Sequence, residues 1–323
     1  MIDSSVLKSW IPYKLKTNGN ETNCYWLDTF SATYSEPFFD ETIAKLKGIT
    51  RRKGNYESVS SLAAMREWSA GITDFIEPTA LIFHVSRCGS TLISQLLCID
   101  EQNIVLPEVP FFDDILRLPL QNSEVSLKDA NALLAASVKY YGQKRTGTEQ
   151  YLFIKTDSWH ISFYKELRAL YPATPFILLY RNPVEVFNSH IKLRGIHAVP
   201  GLIEPHLFGL QQNELARLTL DGYLIRVLEH YFKLYLEIAE KDENAHLINY
   251  NQGILPITDS LAKITNMRFT PQQMHKMAIR ANYHSKDPRK KFSEEKVDEI
   301  PAAFEKVMKL YEQTENKRLT ILI

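Results

Sequence analysis

From about residue 79 onward, short uninterrupted apolar runs alternate with segments of helical period, and that alternation predicts most of the fold. The run ALIFHV is followed by STLISQLLCID, and NIVLPEV leads into PFFDDILRL. A long helix is predicted over 127–144. The strand QYLFIKTD then precedes the helix SWHISFYKELRALYP, and the strand PFILLYR precedes NPVEVFNSHIKLRG. After the connection GIHAVPGLIEP, a helix over roughly 213–241 is predicted. A last strand, AHLINYN, follows, then helices starting near Asp259, Pro271 and Glu294. Strands apolar throughout and separated by helices predict an α/β three-layer sandwich with a central, mostly parallel sheet covered on both faces.

The first 75 residues have a different pattern, short, aromatic and loop-rich. NCYWLDT (23–29) alternates as a strand does, and PFFDETIAKLKG (37–48) predicts a short helix with a proline start and a glycine stop. TRRKGNYES (50–58) is polar and predicts a surface loop. The expected division is an N-terminal extension over 1–75 and a core domain over 76–323. The extension serves either as packing for the main sheet or as a substrate-selecting module.

Composition narrows the function classes. At 323 residues, 45% hydrophobic and 24% charged, the chain can bury a substantial core. Lys+Arg and Asp+Glu both total 38, so no global basic field points to nucleic acid or an anionic membrane. A small polyanion needs only a local basic pocket. The three cysteines, Cys24, Cys88 and Cys98, form no CxxC or Cys/His spacing. Neither a disulfide framework nor a metal site is therefore expected. With no apolar leader and no run of ~18 apolar residues, a cytoplasmic location without a membrane span is expected.

Parallel sheets place ligand sites beyond the carboxyl ends of their strands, so the residues there carry the candidate chemistry. The first end, HVSRCGSTL, has the outline of a phosphate-binding loop entering a helix, but Ser90 stands where such a loop carries lysine. Helix-terminal N–H groups, Gly89, the hydroxyls of Ser90 and Thr91, and the Arg87 guanidinium could grip an anion; a plain capped turn is the alternative. At the second end, Glu108 lies between Pro107 and Pro110, placed as a general base or simply as a loop glutamate. At the third, Lys155 closes an apolar strand and needs an anionic partner, either Asp157 or a ligand. His160 is expected as an ordinary half-buried residue. At the fourth, Arg181 precedes Pro183 and Ser189, either as a second anion hook or in a structural ion pair. No GxxxxGK[ST] is present, and Asp157 is the only candidate acid for a magnesium ion. The four ends therefore predict an anion neutralised by Arg and Lys, with no metal required.

These segments resemble the P-loop sulfotransferases, particularly the bacterial and tyrosylprotein-like branches, over residues 79–292. SRCGSTLISQLL is similar to the loop that binds the 5′-phosphosulfate of 3′-phosphoadenosine 5′-phosphosulfate (PAPS). LPEVPFFDDIL resembles the segment bearing the catalytic carboxylate, FIKTD the strand carrying a lysine, and PFILLYRNPVEVFNSH the 3′-phosphate-binding strand and helix. NYHSKDPRKKF is similar to a C-terminal Ser-Lys segment that closes over the nucleotide. The resemblance implies a P-loop nucleotide-hydrolase-like fold of sulfotransferase type and sulfuryl transfer from PAPS to a hydroxyl, less readily an amine, yielding adenosine 3′,5′-bisphosphate. It implies that Arg87, Cys88, Gly89, Ser90 and Thr91 hold the 5′-phosphosulfate, and that Glu108 removes the acceptor proton. Arg87 and Lys155 would assist the leaving group, and Arg181, Ser189, Ser285 and Lys286 would bind the 3′-phosphate side.

Two departures stand out. Cys88 replaces the usual Ser, Gly or Thr and brings an expected sensitivity to oxidation, and His84, at the first strand's end, is the alternative base. The competing readings are a magnesium-dependent P-loop kinase or NTPase using Asp157, and a non-catalytic nucleotide-binding protein on the same fold. The expected partners are the nucleotide and a small-molecule or peptide acceptor, with a homodimer left open and no nucleic acid. The connection over 195–214 is predicted to help form the acceptor pocket.

Overall fold

The computed structural model describes residues 7–19, 21–54, 57–283 and 302–321. Among the described residues there are eight strands: β1 (Trp10–Asn18), β2 (Glu21–Asp28), β3 (Ser58–Ser61), β4 (Ala80–His84), β5 (Asn103–Pro107), β6 (Tyr151–Lys155), β7 (Phe176–Tyr180) and β8 (Ala245–Asn249). The first three form an antiparallel sheet, and the other five form a parallel sheet, flanked by helices, in the order β5-β6-β4-β7-β8. Every residue of β4 and of β7 is buried, which is why these strands carry no polar alternation. The five predicted strands of the parallel sheet all form, within a residue or two of their expected bounds.

The chain divides into two compact units. The first comprises Met1–Thr79, Ser94–Lys155 and Lys165–Pro172. Within it β5 and β6 pair in register from Asn103↔Tyr151 to Pro107↔Lys155, and β2 is the centre of the antiparallel sheet. The helix Leu127–Tyr141 fastens the early residues. The Tyr141 hydroxyl donates to the Pro12 carbonyl, and the Tyr140 hydroxyl donates to the Met65 carbonyl at 2.7 Å. Strand β1 was not anticipated, because Pro12 interrupts its short apolar run; a register shift between Pro12 and Lys14 accommodates the proline. The helix predicted to stop at Gly48 instead spans Phe39–Arg52, and the left-handed glycine beyond its end is Gly54, at φ 69°. Of the polar stretch 50–58, Thr50, Arg51 and Arg52 belong to the end of that helix and Ser58 to β3; Lys53, Gly54 and Glu57 lie in neither, and 55 and 56 lie outside the described residues.

The second unit comprises Ala80–Ile93, Thr156–Tyr164 and Ala173–Ile323. In it β4, β7 and β8 pair in parallel, with Leu81↔Phe176 and Phe176↔Ala245 in register. The helix expected over 213–241 is two, Gln212–Leu215 and Leu220–Lys241, separated by a Thr219 N-cap. The helix expected from Asp259 begins at Ile254, and the last described helix is Glu305–Ile321. The start expected near Glu294 lies outside the described residues, as do Ser285 and Lys286.

Candidate functional site

In the second unit the chain leaves β4 through a loop with an unusual backbone. Ser86 and Arg87 are both left-handed, at φ 63° and 47°, and Gly89 follows at φ 80°. Left-handed residues interspersed in a turn gather successive N–H groups into an anion-binding concavity. Here that turn opens the eight-residue helix Ser90–Leu97. Two non-glycine residues held in this region each cost on the order of 1 kcal/mol, a strain that concentrates at functional sites.

His84 holds the loop in shape. Its Nδ1 accepts the Ser86 N–H at 3.1 Å, so the ring proton sits on Nε2, which donates to the Thr156 carbonyl at 2.9 Å. Both nitrogens are committed to backbone groups and the ring is buried, which argues against His84 as a base. Cys88 is fully buried, its Sγ directed at the Leu179 carbonyl at 3.6 Å. A small side chain is needed there for core packing.

Gly89 has a second constraint: a Cβ added to it would fall on the Tyr250 ring. Arg87 donates to the Leu193 carbonyl at 2.5 Å, so its side chain reaches the end of the helix Pro183–Lys192. Ser90 and Thr91 lie in the first turn of their helix, both largely buried.

At the neighbouring β7, Arg181 follows the strand and pairs with Glu185 at 2.5 Å, while its guanidinium carbon stands 5.4 Å from the Tyr250 ring centre. Asn251 donates to the same Glu185 carboxylate at 3.0 Å. The structural ion pair considered for Arg181 is therefore present. Tyr250 links the two strand ends, touching Gly89 on one side and Arg181 on the other. No sequence signal marked it. Ser189 is half-buried on the helix Pro183–Lys192. Asp157 caps the turn Ser158–Phe163 in a reciprocal arrangement with His160, which is buried rather than half-exposed.

In the first unit, Glu108 and Lys155 meet. The Glu108 N–H donates to the Lys155 carbonyl at 2.8 Å, extending the parallel ladder one residue beyond β5. The chain then turns left-handed at Glu108, φ 53°, and its carboxylate lies 2.6 Å from Lys155 Nζ. The ammonium is fully buried and, among the described residues, makes no directed hydrogen bond, so the close approach is an ion pair off hydrogen-bond geometry. Asp157, the partner first considered for Lys155, is not needed for it. Asp40 lies near enough for the Glu108 charge to act on it; burial first, and that charge second, raise its carboxyl above the ordinary value.

The connection over 195–214 is part buried and part exposed. Ala198, Ile203, Leu207, Phe208 and Leu210 are buried, and Phe208 meets Tyr223 and Tyr231. Ile196 and Leu202 within it, and Leu193 just before it, are exposed. Among the described residues, no helix is long and apolar enough to cross a membrane.

No family model matches the sequence, and no curated protein matches it. Among solved structures, the chain is similar to the sulfotransferase domain of the curacin biosynthetic pathway, at 14% identity and a TM-score of 0.48, covering 75% of this chain and 97% of that one. It is also similar to the sulfotransferase domain of a Synechococcus olefin synthase, at 13% identity and a TM-score of 0.45, covering 75% and 96%. A third is a sulfotransferase of Alicyclobacillus acidocaldarius, at 13% identity and a TM-score of 0.42, covering 76% and 96%.

Proposed function

We propose that the protein is a sulfotransferase that moves a sulfuryl group from PAPS to a hydroxyl, with an amine as the second acceptor type. The observation that carries this reading is the Lys155–Glu108 pair, because it holds together the two groups such a transfer requires, a base and a cation for the leaving group. The left-handed loop before the helix Ser90–Leu97 supports it as a seat for the 5′-phosphosulfate, with Arg87 beside it. Arg181 supports a 3′-phosphate site, reached by exchanging the Glu185 carboxylate for a phosphate. The donor supplies an activated S–O bond. Glu108 takes the acceptor proton as the acceptor oxygen bonds to sulfur. Arg87 and Lys155 oppose the charge left on the phosphate oxygen when the S–O bond breaks, and each is worth roughly 10²-fold in rate. The exposed apolar residues Leu193, whose carbonyl Arg87 holds, Ile196 and Leu202 are our assignment for the acceptor side.

Calorimetric titration with adenosine 3′,5′-bisphosphate in EDTA tests the reading first. Binding without a divalent ion is expected, and ATP binding that requires magnesium would favour the kinase alternative. Glu108→Gln, in protein whose folding is checked by circular dichroism, should bind the nucleotide nearly as wild type while transfer from PAPS collapses. Full transfer by that variant would remove Glu108 as the base.

A further inference from the structure

The segment 1–75 falls outside the resemblance, yet one of its side chains reaches the Lys155–Glu108 pair. The Phe38 ring lies with its centre 5.3 Å from Lys155 Nζ. That is within the range where an aromatic face attracts a cation, and the attraction is strongest when the cation is dry, as this one is. The placement of Phe38 is firm. It is the N-cap of the helix Phe39–Arg52, in extended conformation at φ −132°, ψ 147°. The next residue, Phe39, is fully buried, edge-on to Tyr34 at 5.0 Å and to Tyr141 at 5.4 Å. Two residues on, Asp40 is close enough for the Glu108 charge to act on it, so the start of this helix approaches both members of the pair.

We infer that Phe38 is a positioning residue that fixes the Lys155 ammonium against Glu108, making the N-terminal segment a working part of the site. The ammonium can rotate about its long side chain and, among the described residues, makes no directed hydrogen bond to fix it. An aromatic face confines it without offering an oxygen that would compete with Glu108 or with an anionic ligand. A leucine of similar bulk would fill the space without attracting the charge. The inference deepens the sulfotransferase reading in its rate arm, but its structural arm is independent of it.

The test uses the full chain with isotope-labelled lysine side chains. The Lys155 signal is identified by its loss in Lys155→Met. The wild-type signal should be shifted upfield by the ring current of Phe38. Phe38→Leu should abolish that shift and lower sulfate release from PAPS to water about ten-fold, with adenosine 3′,5′-bisphosphate affinity within about two-fold. Phe38→Trp should restore both. A Lys155 signal unchanged in Phe38→Leu overturns the inference, and so does equal loss in Phe38→Leu and Phe38→Trp. If wild-type protein neither binds the bisphosphate nor releases sulfate, the sulfotransferase reading fails, while the lysine spectra still decide the role of Phe38.

Discussion

Lys155 and Glu108 are bound at 2.6 Å with unequal shelter: the lysine side chain is 0% exposed and the glutamate 22%. The inequality predicts asymmetric costs. Glu108→Gln leaves a buried ammonium without its counter-charge and should destabilise by about 3 kcal/mol or more. Lys155→Met leaves a carboxylate that water can reach, and should cost about 1 kcal/mol or less. Urea denaturation of the two variants and the double variant measures both costs and their coupling. Equal costs would mean that the ammonium is not desolvated by its surroundings.

Gly89 combines a left-handed backbone with contact against Tyr250. Gly89→Ala should therefore fail in two separable ways, roughly 1 kcal/mol from the backbone and a further cost from the ring. Adding Tyr250→Ala should recover the ring's share only. If the double variant regains full stability, the backbone cost is absent and the loop is not strained at that residue.

Arg181 is held by Glu185, and Asn251 holds the same carboxylate. If Arg181 is the 3′-phosphate hook, Glu185 competes with the ligand. Glu185→Gln should then tighten adenosine 3′,5′-bisphosphate binding several-fold, and Arg181→Met should weaken it by ten-fold or more, both read by calorimetry at fixed salt. A weakening in both variants would make the ion pair a structural brace.

Glu149 accepts the N–H groups of Arg145, Thr146 and Gly147 at 2.9–3.0 Å. Burial pushes its carboxyl up, but the backbone donors outweigh it and leave it at about 2. A carboxylate held below its ordinary value stabilises the fold above about pH 4.5, and that share is lost as pH falls toward 2. Glu149→Gln should cost about 1–2 kcal/mol at neutral pH and flatten the stability profile across that acidic window. An unchanged profile in chemical denaturation at pH 3 and pH 6 would exclude this role.

The parallel sheet was legible because its strands are apolar along their length, and four strand ends were picked out by residue type. Glu108 and Lys155 could be named individually but not as a pair. Their meeting depends on register, Pro107 beside Lys155, and on a left-handed turn that nothing in VLPEVPFF announces. Cys88 could not be resolved, since only its fully buried position shows that it answers to packing. Tyr250 and Phe38 carried no signal, because each acts through a ring that approaches a group distant in sequence. Gly48 misled because a helix well packed through Phe39 and Leu46 tolerates a glycine that propensity alone would read as an end.

The bond from Tyr141 to Pro12 joins residues 129 positions apart. During synthesis, then, the first strands emerge well before the helix that fastens them. At about 5–20 residues per second, the ribosome needs on the order of ten seconds to supply that partner. Through that interval the nascent hairpin of β1 and β2 lacks the tyrosine that will hold it.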